Sequence, residues 1–406
     1  MSYTAVTDHE NPPLTLVEAS ATAGDSAAQS LAASLLLLGN QQRDDLAGLA
    51  AVAAASGAGG FTEAAPVEDV ETLEVPLVRP TGARYSHEQV RIELSDRCGL
   101  EAESSPHLAQ GGPEPGEGEG GYAPGLGPSD YGELAEELCR QPRPDRLALF
   151  LEACLYHPEP LVGTAAAIAY LPLAADPLRL VPVLEEGLAH GEADVCELAA
   201  TGLAQFAPDH PALARLAQGS AGAPEMGAGE TSMLVHGTWA AGSSWWPPGG
   251  EFHDYLKTQV PRFADLYDQA DRFGWSGGYS PAARSLGARD LLDWVEGHDE
   301  QGITLLGHSH GANVMMLASQ LGLESEMMMF LACPVHRHVY WPDFDRVQRA
   351  VSVRVRLDLV ILADGGGQRF RDPQIQEVVL PVWFSHSAAR DPGTWQRHDV
   401  PGRVGF

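Results

Sequence analysis

From Thr231 to Phe406, short apolar runs alternate with longer stretches in which apolar residues recur every three or four positions. The first run is Ser232 to Val235. An amphipathic helix is expected from Tyr255 to Ala270, then a strand end at Arg272 to Trp275 before the turn Ser276-Gly277-Gly278. Ser280 ahead of Pro281 marks a helix start, because a serine hydroxyl accepts an orphan N–H and proline suits the first helical turn. Apolar spacing carries that helix through Leu292 and Trp294. Further runs lie at Ile303 to Leu306, Met327 to Leu331, Val351 to Val355 and Glu377 to Phe384. Continuous apolar strands separated by helices predict a mainly parallel sheet flanked by helices, an α/β architecture with ligand chemistry at the carboxyl ends of the strands.

The chain before Thr231 is patterned differently. Ala-rich helical runs are expected at Ser26 to Leu38 and Asp44 to Ala55, with Gly57 to Gly60 ending the second. A period of two in Leu73, Val75, Leu77 and again in Val90, Ile92, Leu94 predicts two half-buried strands. Pro76 lacks an N–H and confines the first to a sheet edge. Glu103 to Asp130 is rich in Gly, Pro and Glu. Beyond it, Arg146-Leu147, Leu151-Glu152, Leu155 and His157 recur at one fixed offset as Arg179-Leu180, Leu184-Glu185, Leu188 and His190. Val162, Ala166-Ala167 and Ala174 recur at the same offset, as Val195, Ala199-Ala200 and Ala207. Each unit is a leucine-periodic helix followed by an Ala-rich one, and it resembles a HEAT-type helical repeat. These breaks divide the chain into an Ala-rich helical and short-β region (1–102), a disordered linker (103–130), a helical-repeat module (131–217), a second linker (218–230) and an α/β domain (231–406).

Charge sharpens this division. Of 55 acidic and 25 basic residues, 20 and 15 lie from Thr231 onward. The part before Thr231 therefore holds 35 acidic and 10 basic residues, a net −25 of the total −30. Such a surface disfavours nucleic acid and anionic membrane, and leaves open a basic protein partner for the acidic repeats. The five cysteines, Cys98, Cys139, Cys154, Cys196 and Cys333, show no CxxC pair or zinc spacing. Met1 to Pro13 lacks the basic start of a secretory signal, and the longest apolar stretch, Leu31 to Leu38, is too short to span a bilayer. A cytoplasmic location is expected.

The chemistry concentrates at Gly307-His308-Ser309-His310-Gly311, between the Ile303 to Leu306 run and the helical Ala312 to Ala318. Strand, sharp turn and helix in that order place a serine hydroxyl at a strand's carboxyl end beside a helix N-terminus. With the earlier His236-Gly237 turn and acidic and histidine residues downstream, this part of the chain resembles the α/β-hydrolase superfamily, in an esterase/lipase-like branch. The resemblance implies Ser309 as nucleophile, a histidine after the last strand as base and an aspartate to orient it. His386 directly follows the Val378 to Phe384 run and is the first choice of base, with His398 the alternative. Asp358 is the first choice of acid; Asp364 takes its place if the strand beginning at Val351 runs unbroken to Leu362. The backbone N–H groups of Thr238 and His310 are the implied oxyanion donors.

Trp239, Trp245 and Trp246 crowd the loop after His236 and are candidates for a substrate pocket, or for packing against the sheet. His308 and His310 flank the serine, with His236, His336 and His338 elsewhere, but residues on either side of a tight turn diverge, so no metal is expected. No P-loop and no dinucleotide fingerprint is present, and no cofactor is expected. The expected activity is cleavage of a small-molecule carboxylic ester through an acyl-enzyme. Two alternatives share the features: an interaction scaffold with a vestigial hydrolase, and an acyltransferase. The span from Thr231 to Phe406 is short for the superfamily's sheet. Either the sheet is minimal, or the strands near 70–94 complete it.

Overall fold

A computed structural model describes residues 28–29, 31–40, 131, 134, 135, 138, 144–174, 176–216, 232–298, 302–337 and 339–406. The period-two segments at 70–94, the helix expected at 44–55, both linkers, Cys98, Cys139 and His338 lie outside the described residues. The chain forms two compact units, one reaching Leu184 and the other running from Glu185 to Phe406.

In the first unit, α1 (Pro144–Cys154) and α2 (Pro160–Tyr170) form a hairpin. Leu147, Phe150, Leu151 and Cys154 of α1 are buried, as are Val162, Ala165, Ala166 and Ala169 of α2. Small residues on α2 allow close approach: a Cβ added at Gly39, in the helical stretch 31–40, would lie 2.7 Å from Ala169 Cα. A 3₁₀ turn at Pro177–Leu180, N-capped by the Asp176 carboxylate, leads into α3 (Val181–Leu188). The second unit then contains α4 (Ala193–Phe206) and α5 (Pro211–Leu216). Pro144 and Pro177 begin helical segments at the spacing that separates Arg146 from Arg179, and so do Pro160 and Ala193. The helices thus keep the offset of the sequence repeat.

The sheet has five parallel strands in sequential order: β1 (Ser232–Val235), β2 (Thr304–His308), β3 (Ser325–Leu331), β4 (Val347–Arg354) and β5 (Ile375–Val379). Alternate strand residues feed two separate cores, which is why the runs are apolar throughout. Met233, Val235, Leu305, Met328 and Phe330 pack under α6 (Pro281–Gly297) and α7 (His310–Leu321). Leu234, Leu306, Met329, Leu331 and Val353 face the opposite side, covered by Phe252 and Leu256 of α8 (Glu251–Gln259) and by Trp395 of α9 (Pro392–Arg397). Among the described residues, no helix is long and apolar enough to cross a membrane.

Several boundaries differ from expectation, for local reasons. The helix expected to reach Ala270 stops at Gln259, because Pro261 opens a separate 3₁₀ turn. Arg272 to Trp275 is not a strand; Phe273 and Trp275 join the core from an extended loop. The last strand ends at Val379: Leu380 N–H makes a final 2.7 Å bond to Arg354 O, and Pro381 has no N–H to continue. The strand through Val351 ends at Arg354. The chain then turns into a short helix, α10 (Leu359–Asp364), so Asp364 closes a helix and not a strand.

Candidate active site

The candidate residues gather at the carboxyl ends of the strands. Ser309 lies one residue past β2 at φ 53° and ψ −131°, a strained backbone conformation for a residue with a side chain. Its N–H bonds Leu331 O at 2.8 Å, and its side chain makes no cap bond to α7. The elbow is held by close approach. A Cβ at Gly311 would collide with the backbone oxygens of Val235 and His236, and one at Gly237 would lie 2.9 Å from Ser309 Cβ. Only residues without a side chain let β1, the elbow and α7 meet there.

Asp358 and His386 are brought together across β4 and β5. Phe384 N–H bonds Leu357 O at 2.7 Å, and His386 Nδ1 donates to Asp358 Oδ2 at 2.7 Å. Asp358 is fixed from its other side as the N-cap of α10, its Oδ1 accepting from Val360 N (2.9 Å) and Ile361 N (3.2 Å). Gln368 holds its backbone, accepting from Asp358 N at 3.0 Å and donating to Asp358 O at 3.1 Å. Ser309 and His386 line one cavity, together with Thr238, Trp239, His308, His310 and Asp364. His398 is not among them; it caps the carboxyl end of α9.

Thr238 and His310 are joined directly, Thr238 Oγ1 to His310 Nδ1 at 2.9 Å, which ties the loop after β1 to the start of α7. Of the three tryptophans, Trp239 lines the cavity, stacked on Tyr279 at 5.7 Å. Trp245 and Trp246 do not. Trp246 is buried against His236 and donates to Ala240 O at 2.8 Å. Trp245 packs on Phe252 and the edge of His308, under the Arg390 guanidinium.

Helix α4 supplies groups that no local sequence signal announced. Glu197 and Thr201, on its face toward α10, complete the cavity wall. Glu197 Oε2 lies 4.0 Å from His386 Nε2, and Glu197 Oε1 accepts from Arg390 Nη2 at 3.1 Å. Asp194, one turn earlier, is half-buried near Ser385, and its desolvation with the Glu197 charge pushes its carboxyl up. Burial alone would lower the His386 pKa. The Asp358 charge and hydrogen bond, with Glu197 and Asp194, outweigh it and raise it to about 9. His236 shows the reverse: buried between Trp246 and Trp275, it is driven down to about 4 by desolvation.

The histidines beside the serine diverge. His308 Nε2 faces His386 O at 3.4 Å and packs against the His386 ring, which steadies that loop, and burial holds it far below the ordinary range. His310 turns the other way and converges with His336 and Asp364, residues of two different segments. The carboxylate bonded to His386 is that of Asp358, and Asp364 lies among other partners. It accepts from Tyr279 Oη at 2.6 Å and from His336 Nε2 at 2.8 Å, with His310 Nε2 3.3 Å away. Burial would raise its pKa, but the two imidazoles hold it well below the usual carboxylate range. No protein-family model, no curated protein and no solved structure matches the chain.

Proposed function

We propose that the chain is a serine hydrolase of α/β-hydrolase type that cleaves carboxylic esters, with Ser309 as nucleophile, His386 as base and Asp358 as its orienting acid. One observation carries this reading: a serine in a strained turn after β2 shares a cavity with a histidine whose far nitrogen is bonded to a buried aspartate at 2.7 Å. A serine hydroxyl is a weak nucleophile until a base accepts its proton. With Nδ1–H committed to Asp358, His386 presents Nε2 to the cavity as the acceptor.

Ser309 Oγ attacks the ester carbonyl while its proton passes to His386 Nε2. The oxyanion is received by the backbone N–H groups of Thr238 and His310, which the Thr238–His310 side-chain bond keeps in register. The imidazolium then protonates the departing alkoxide. Water, deprotonated by the same nitrogen, releases the acid and restores Ser309. The free thiols of Cys154, Cys196 and Cys333 suit a reducing compartment, in keeping with a cytoplasmic enzyme. The recurring helical pairs support a HEAT-like reading of the preceding module.

The test is labelling with a fluorophosphonate probe alongside p-nitrophenyl ester turnover, on wild type and Ser309→Ala. Labelling and turnover that vanish in the variant are expected. A folded wild type that takes no label would overturn the proposal and favour the scaffold alternative.

A further inference from the structure

We propose that His310, His336 and Asp364 form a binding site for a divalent first-row transition metal, with zinc as the type ion. The three donors are His310 Nε2, His336 Nε2 and an Asp364 carboxylate oxygen, and they lie within 4.8 Å of one another. They come from three separate segments: the first residue of α7, the loop after β3 and the last residue of α10. Two imidazoles and one carboxylate are the donor set of borderline divalent ions, and three protein ligands leave a position open.

A second observation points to a missing ligand. His310 Nε2 is buried and has no hydrogen-bond partner, although Asp364 Oδ1 is only 3.3 Å away. His310 Nδ1 is engaged by Thr238 Oγ1 at 2.9 Å. Thr238 Oγ1 can accept from Nδ1–H or donate to Nδ1; in the first tautomer Nε2 offers its lone pair on the side of the Asp364 carboxylate, the form in which it can ligate an ion. Donors of a tetrahedral zinc site with bonds of about 2.0–2.1 Å stand about 3.4 Å apart; His310 Nε2 is 3.3 Å from Asp364 Oδ1 and His336 Nε2 2.8 Å from Asp364 Oδ2, so modest side-chain shifts would seat an ion.

The surroundings are those of a ligand shell. Tyr279 Oη donates to Asp364 Oδ1 at 2.6 Å, which orients the carboxylate, as Thr238 orients His310. The Arg284 guanidinium, stacked 5.5 Å from the Tyr279 ring, adds a positive charge nearby. That charge opposes any divalent cation, so binding must rest on the two imidazole nitrogens and the Asp364 carboxylate. The site shares its wall with the Ser309 cavity through His310 and Asp364. A bound ion would pin the elbow to the loops after β3 and β4. The inference concerns binding and stands whether or not Ser309 is a nucleophile.

The full-length chain, freed of metal by dialysis against EDTA, is titrated with Zn²⁺ by calorimetry and with Co²⁺ by visible absorption. One ion per chain is expected, with d–d bands of a four- or five-coordinate Co²⁺ site. His336→Ala, at the most exposed of the three ligands, and Asp364→Asn are each expected to weaken binding by about 100-fold or more. Thr238→Val, which removes only an outer partner, is expected to weaken it by roughly 10-fold. Circular dichroism establishes that each variant is folded. No binding by wild type at millimolar Zn²⁺ overturns the proposal. So does binding that survives unchanged in His336→Ala and Asp364→Asn, since the ion would then sit elsewhere.

Discussion

His386 sits among three acidic side chains and is nonetheless almost wholly buried, so its proton affinity is set by a contest. Desolvation lowers it; Asp358, Glu197 and Asp194 raise it further than desolvation can reach, to about 9. On the proposed mechanism the base must be neutral to accept the Ser309 proton. If Ser309 and His386 act as proposed, kcat/KM is expected to climb through neutral pH and level off only above about 9. Glu197→Gln removes one raising charge and leaves the Asp358 bond intact. Its kcat/KM profile, measured against pH with a p-nitrophenyl ester, should level off at lower pH than wild type. An unmoved limb would show that Glu197 does not act on His386. Ser309 itself carries backbone strain, at φ 53°. Glycine tolerates that conformation and alanine does not, so Ser309→Gly should exceed Ser309→Ala in stability by roughly 1 kcal/mol in urea titration.

Elements differ in how far the chain announces them. The elbow is legible because sterics fix its residue types: Gly311 must clear the backbone at Val235 and His236, and Gly237 must clear Ser309. His386 and Asp358 are legible because each closely follows an apolar run, and strand ends in a parallel sheet share one edge. Asp364 rivals Asp358 in the sequence because the six apolar-rich residues Leu359–Asp364 fit strand or helix equally well; the structure makes them a helix. The illegible part is tertiary. Glu197 reaches the site because α4 packs on α10, and nothing near Glu197 in sequence points to Ser309. Trp245 and Trp246, close to Thr238 in sequence, are drawn away into the core under α8. The close packing at the elbow makes a prediction at this scale. Gly311→Val should destabilise by about 3 kcal/mol or more and lower the protein yield, because the colliding atoms are backbone and cannot yield. Chemical denaturation of the purified variant beside wild type checks it.

At the scale of the molecule, one helix of the acidic stretch, α4, packs within the compact unit that holds the sheet. Composition divides that stretch from the sheet near residue 230, whereas the compact unit that holds the sheet begins at Glu185 and includes α4. Leu198 and Leu203 of α4 are buried, Gln205 bonds the carbonyl of Ala363 at the end of α10, and Glu197 pairs with Arg390. Two opposed titrations also act on this unit. His236, driven to about 4, is stable as the neutral form, so its contribution is complete above its ordinary value of 6.5 and is lost as pH falls toward 4. His386, raised to about 9, contributes fully below 6.5 and loses that stability as pH rises through 9. Melting temperature should therefore fall on both sides of a maximum near neutral pH, and His386→Gln should flatten the alkaline side only. Truncation tests the boundary itself. A chain starting at Glu185 keeps α4, its ion pair to Arg390 and the cavity wall, and should melt and label with a fluorophosphonate much as the full chain does. A chain starting at Gly229 lacks α4, which packs on α10. It should melt several degrees lower and lose most of its labelling. Equal behaviour of the two truncations would mean that α4 contributes nothing to the site it covers.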